Sequence, residues 1–231
     1  MIEPPGPADA FRILSWNIHS GIGPDGIYDL DRVIAFLQRY DADIIALQEV
    51  DSRGSTGIVP IDALRGALGE HAAEARTIVA PDGHYGHVLI SRWPFDMVNL
   101  HDLSRPGREP RWMIEARLHA DGTETTVVAT HLGYRFVENR AQVHRLTELV
   151  GRISGSIVLM GDFNDWHRQV RRHLARYALG ATTINTFPAR RPLLPLDCIF
   201  CRPAHSLTRH WTDRSAAAIS DHLPIIAEIL R

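Results

Sequence analysis

The strongest constraint on the fold is a series of short apolar runs, too short for buried helices and bounded by polar or turn residues. Residues 11–16, 43–48, 88–91, 112–119, 125–130, 157–160, 196–200 and 223–229 read as strands. Helical patterning is confined to 30–40, with Asp29 as its N-cap, and to 61–68, 137–153 and 168–179. In the longest of these, Val143, Leu146, Leu149, Val150 and Ile153 fall on one face and predict a core stripe. A strand–helix–strand unit opens the chain, but the middle holds many strands and few helices. One doubly wound parallel sheet does not accommodate that order, whereas two mixed sheets packed together with helices outside do.

At 231 residues the chain can bury one sizeable core, and no linker or low-complexity break divides it. The expected organisation is a disordered or extended segment over 1–10 and one domain over 11–231. A net charge of −2 gives no global reason to bind a polyanion, although a local basic site stays open. All 25 basic side chains are Arg, a bias that genomic base composition explains more simply than phosphate binding. The N-terminus does not read as a secretory signal, and no run reaches transmembrane length. Cys198 and Cys201 stand three apart on a predicted strand and so face opposite sides, which argues against zinc. Two free thiols suit a reducing compartment; the expectation is a cytoplasmic monomer.

Polar residues recur where the apolar runs end: Asn17 and His19, Gln48 and Glu49, His131, Asp162 and Asn164, Asp197, then Asp221 with His222. Any one of them could be structural: an Asx turn at Asp162 and Asn164, a satisfied core histidine at His131, a strand cap at Asp221 and His222. Together they offer oxygen ligands for a hard cation, a general base and neutral donors for phosphate oxygens, the mixture that metal-assisted phosphoester hydrolysis requires.

In order, Trp16-Asn17-Ile18-His19, Leu47-Gln48-Glu49-Val50, Thr130-His131-Leu132, Gly161-Asp162-Phe163-Asn164, Leu196-Asp197-Cys198-Ile199-Phe200 and Ser220-Asp221-His222 resemble the motif series of the endonuclease/exonuclease/phosphatase superfamily. The resemblance runs from about Phe11 to the C-terminus. It implies a four-layer α/β sandwich, two central mixed β-sheets flanked by helices, with the active site at one end of the sheets. It also implies Mg²⁺ (or Mn²⁺), with Glu49 as principal ligand and Asp221 and His19 completing or supporting the site. His222 would be the general base, oriented by Asp197. Asp162 would align the attacking water or handle a proton, supported by Asn17, while Asn164 and His131 would donate to the phosphate oxygens.

Some positions depart from the pattern or leave its substrate open. His87 stands where the family segment often has Asn, and reads either as a site-lining group or as a tolerated residue. Arg111 precedes a predicted strand and reads as a phosphate clamp or as the partner of Glu109 or Glu115 in a surface ion pair. Arg168, Arg172 and Arg176 would share a helix face, more simply a solvated one. Arg190 and Arg191, in the loop before Asp197, could contact a nucleic acid, grip a lipid headgroup or cover the site. The expectation is a phosphodiester hydrolase, with a nuclease or a lipid-headgroup or small-metabolite phosphatase as alternatives. A catalytically silent binding module is the competing class.

Overall fold

A strand buried on both faces needs apolar residues at nearly every position, and the central strands here have them. The computed structural model describes residues 10–54, 59–177 and 179–230. In chain order it runs β1 (Ala10–Asn17), α1 (Leu30–Gln38), β2 (Ile44–Asp51), α2 (Pro60–Leu68), β3 (His71–Ala80), β4 (Gly83–Ser91), β5 (Phe95–Asp102) and β6 (Trp112–Ala120). There follow β7 (Thr123–His131), α3 (Phe136–Val150), β8 (Ile157–Asp162), α4 (Gln169–Leu174), β9 (Gly180–Ala181), β10 (Asp197–Arg202), β11 (Leu207–Trp211) and β12 (Ile225–Leu230). The expected tail over 1–10 lies outside the described residues except for Ala10, which opens β1.

The strands form two six-stranded mixed sheets, ordered β11-β12-β1-β2-β4-β3 and β5-β6-β7-β8-β10-β9. Alternation along each strand sorts the side chains into three cores. Ile13, Ile44, Leu89, Ile114, Val127, Met160 and Ile199 meet between the sheets. Leu14, Trp16, Ile45 and Leu47 face the other way, with Val33, Phe36 and Leu37 of α1. Val128, Leu159 and Phe200 pack with Val143, Leu146 and Val150 of α3. This is the expected four-layer sandwich. Cys198 falls in the helix-side core and Cys201 in the inter-sheet core, so the two thiols do face opposite ways. No helix among the described residues is long and apolar enough to cross a membrane.

Two local expectations need correction. The predicted helix over 168–179 is shorter: Arg168 takes a left-handed conformation (φ 55°), and the Asp165 carboxylate accepts from Gln169 N (2.5 Å) to start α4 one residue later. A 3₁₀ turn carries Ala175–Tyr177, so Arg168, Arg172 and Arg176 do not form one α-helical stripe. Strands β3, β5, β9 and β11 were not expected. All lie at or next to sheet edges, where one face or a hydrogen-bonding side is open and the apolar pattern is diluted.

Candidate active site

Strand register brings the motif residues to one end of the sandwich. Parallel pairing aligns Asn17 with Gln48, and in the other sheet His131 with Asp162. Antiparallel pairing sets Asp162 opposite Asp197. The β2–β4 register slips between Gln48 and Val50, and Glu49 sits at that bulge with φ 59°. A bulge re-aims a side chain, and here it turns Glu49 toward the cleft instead of continuing the alternation. His19 (φ 48°) and Asn164 (φ 46°) are left-handed too. A non-glycine residue pays about 1–2 kcal/mol for that conformation, so backbone strain collects at three of the expected site residues.

Asn17 clasps the two sheets together at the cleft floor: its Nδ2 donates to Glu49 Oε1 (2.8 Å) and to Asp162 Oδ2 (3.1 Å), and its Oδ1 accepts from His19 N (3.0 Å). Asp162 divides its oxygens. Oδ1 accepts from Asn164 N (2.9 Å) in the Asx turn, which leaves Oδ2 for the cleft. Asn164 Nδ2 donates to Leu132 O (2.9 Å), fixing the amide beside His131.

Two buried histidines flank Asp162 Oδ2 with opposite hydrogen-bonding polarity. Asp197 Oδ2 accepts from His222 Nδ1 (2.8 Å) and from Thr186 Oγ1, so Nε2 of that imidazole, 3.9 Å from Asp162 Oδ2, is left as an acceptor when the ring is neutral. The His222 backbone is held as well: Trp16 Nε1 donates to its carbonyl (2.9 Å), and Ser220 Oγ accepts from its N–H (3.2 Å). Arg111 does the reverse for His131. Its Nη1 donates to His131 Nδ1 (3.3 Å), leaving Nε2 as the protonated nitrogen, 3.6 Å from Asp162 Oδ2 and 4.0 Å from Glu49 Oε1.

The electrostatics follow from burial and crowding. Burial and then the charge of Asp197 push the Asp162 carboxyl up to about 7. Burial opposes protonation of His222, but the carboxylates of Asp197, Asp162 and Asp221 outweigh it and raise the imidazole to about 10. Burial, then the Arg111 charge, hold His131 well below the usual range, so it is a neutral donor.

Glu49 Oε2 lies 3.9 Å and Asp221 Oδ1 3.4 Å from the same His19 Nδ1, so a carboxylate from the β2 bulge and one from the loop before β12 converge on one spot. Asp221 Oδ1 is buried without a hydrogen-bond partner, and both side chains are partly open to solvent. Oxygen donors, one of them orphaned, with room for water match what a hard divalent cation requires. Asp162, Asp197 and His222 also bring donor atoms within 4.8 Å of one another. Two of those groups are already hydrogen-bonded to each other, whereas Asp221 Oδ1 has no hydrogen-bond partner, so the two places differ in how far their donor atoms are already engaged.

Of the expected substrate-binding residues, Arg190 and Arg191 are exposed in the loop before β10, whereas Arg111 and His87 are buried. The surface ion pair envisaged for Arg111 is instead a buried guanidinium bound to Glu109 (3.0 Å), and Glu115 pairs with His101. His87, between Gln48 and Ala75 in the sheet, makes no full hydrogen bond through either ring nitrogen. Sequence reasoning assigned no role to Thr186 or Ser220. Ser220 opens one of the quoted motifs, but nothing local marks Thr186 as the partner of a carboxylate 11 residues away.

The family model described as Endonuclease/Exonuclease/phosphatase family matches residues 14–222. An uncharacterized protein of Escherichia coli K12, YbhP, is 30% identical over 246 residues, covering 95% of this chain and 96% of its own. Among solved structures, an endonuclease/exonuclease/phosphatase from Beutenbergia cavernae has a TM-score of 0.79 at 23% identity, over 96% of this chain and 72% of that one. The mannosyl-6-phosphatase Bt3783 of Bacteroides thetaiotaomicron has a TM-score of 0.71 at 16% identity, over 96% and 100%. Motif order, two-sheet architecture and family match agree, and the chain belongs to the endonuclease/exonuclease/phosphatase family of phosphoester hydrolases.

Proposed function

We propose that the protein is a Mg²⁺- or Mn²⁺-dependent phosphodiesterase in which His222 activates the attacking water. The observation that supports this most is the opposed polarity of the two histidines about Asp162. His222 Nε2 accepts, so it can take a proton from water lying between it and Asp162 Oδ2. His131 Nε2–H donates, as does the free N–H of Asn164, so both can stabilise charge developing on the phosphate oxygens. Asp197 then stabilises the imidazolium without itself taking the proton.

A hard divalent cation, when bound by Glu49 and Asp221 with His19 beside them, would polarise the phosphoryl group and offset the repulsion among the carboxylates. It would also favour ionised Asp162 and neutral His222, the protonation states that this mechanism needs. Bt3783 bears the name of a phosphomonoesterase, so the assay includes both ester types.

The test is hydrolysis of bis(p-nitrophenyl) phosphate and p-nitrophenyl phosphate with Mg²⁺ or Mn²⁺, with and without chelator. Turnover of the diester should exceed that of the monoester and vanish with chelator. His222→Ala should lower kcat by on the order of a hundredfold or more. Wild-type turnover in that variant, or none by the folded native protein with any metal, would overturn the assignment.

A further inference from the structure

The sheet ends that carry the site also carry, along the second sheet, exposed arginines and rings that the hydrolytic reading leaves unused. The loop from β5 to β6 presents Arg105 and Arg108, and the turn after β7 with the first residue of α3 presents Tyr134, Arg135 and Phe136. These five side chains line a groove of about 710 Å³ that starts three residues beyond His131. The acid in its lining, Glu138, is buried and accepts from Gln142 Nε2 (3.3 Å). None of the three guanidiniums makes an ion pair among the described residues. Rings continue from the groove toward the base: Phe136 meets His167 edge-on (4.9 Å), the chain neighbour of His167, Trp166, meets Phe187 (6.0 Å), and Phe187 lies against His222 (4.8 Å). Arg190 and Arg191 are exposed in the same loop as Phe187.

We propose that this row binds a single strand of nucleic acid and delivers its phosphodiester to His222, an assignment that rests on the phosphodiesterase reading above. Unpaired bases stack on exposed rings while guanidiniums track the phosphates, and the two residue types interleave here as that ligand requires. A duplex keeps its bases stacked internally and would leave the rings unused. A bilayer needs a contiguous apolar face, whereas here arginines separate the exposed rings. Strands stand about 4.8 Å apart, so the row from the β5–β6 loop to the start of β10 spans on the order of 19 Å, enough for a short stretch of chain. The whole-chain charge of −2 hides this local excess of cations.

The test is fluorescence anisotropy of labelled oligothymidylate of about ten nucleotides, in chelator so that binding is read without hydrolysis. Tyr134→Ala with Phe136→Ala should weaken binding about tenfold or more. Arg105→Ala with Arg108→Ala should weaken it and flatten the slope of log K against log salt by about 1.4, roughly 0.7 per lost phosphate contact. All four side chains are exposed, and unchanged melting temperatures would confirm folding.

Unaltered affinity in both variants would overturn the proposal. So would a duplex binding as tightly as the single strand, or phosphatidylglycerol vesicles displacing the strand and losing affinity in the same variants. Wild-type turnover of bis(p-nitrophenyl) phosphate with Mg²⁺, in the same preparation, tests the underlying reading separately. Strand binding without that turnover would refute the hydrolytic function and keep the surface; turnover without strand binding would refute the surface alone.

Discussion

Replacing His87 by Asn should make the fold less sensitive to acid, by an amount that the buried imidazole sets. Burial, then the charge of Arg111, push His87 down to about 3, against a smaller opposing effect of the Ala129 backbone. An unfolded histidine titrates near 6.5. Between those values the unfolded chain binds a proton that the folded chain refuses, so stability falls as pH drops from about 6.5 toward 3. Above 6.5 both states are neutral and the residue contributes no pH dependence. Each pKa unit is worth about 1.4 kcal/mol, so full titration would cost the fold on the order of 5 kcal/mol, and about 3 kcal/mol of that should be lost by pH 4.5. Urea unfolding at pH 7.5 and 4.5, followed by tryptophan fluorescence, measures the difference for each protein. His87→Asn should show an acid loss about 3 kcal/mol smaller than the native chain, because the contribution of His131 is common to both. Equal losses, or an imidazole resonance of His87 that titrates near 6.5 in the folded protein, would refute the reasoning.

Arg111→Met should free His131 to place its proton on either nitrogen. Turnover of bis(p-nitrophenyl) phosphate should fall at least tenfold, mainly in kcat, and stability by only about 1 kcal/mol, because the Glu109 left behind is half-buried and solvent screens it; Arg111→Lys should restore part of both, and a change confined to KM would instead support direct phosphate contact. Gly161→Ala should be severe, since φ is 151° and an added Cβ would stand 2.0 Å from Thr130 O in the neighbouring strand. Moving β8 away from β7 would cost several kcal/mol and separate Asp162 from His131, so both melting temperature and kcat should drop; a native melting curve would refute it.

The central strands were legible because burial on both faces leaves near-continuous apolar runs, as in β2 and β8. β5 (FDMVNLHD) carries no such run; pairing with β6 holds it, and five of its eight residues lie open to solvent. The candidate site's convergence was legible for a related reason. A strand that ends at the sandwich edge changes abruptly from apolar to polar, and those changes mark Asn17, Glu49, His131 and Asp162. What the sequence could not convey is how the loops between them are tied. The indole of Trp16 reaches the carbonyl of His222, 206 positions away, and Ser220 Oγ donates to Asn17 O (2.7 Å). Such bonds depend on where β1 and β12 pair, and neither partner is distinguished by its neighbours in the chain.

The same limit applies to the bulge at Glu49. An alternating pattern through Leu47-Gln48-Glu49-Val50 predicts a regular strand, in which Glu49 would share a sheet face with Leu47. The register slip releases it from that alternation, and the clasp from Asn17 Nδ2 then holds its Oε1, leaving Oε2 directed at His19 and the partnerless oxygen of Asp221. The left-handed backbone costs stability, and the clasp contributes one charge-assisted hydrogen bond in return. That exchange makes physical sense if Glu49 must present an oxygen to something that the protein alone does not supply. A divalent cation at Glu49 and Asp221 would satisfy both carboxylates and offset the negative charge that adds to burial in raising Asp162 and overcomes burial in raising His222.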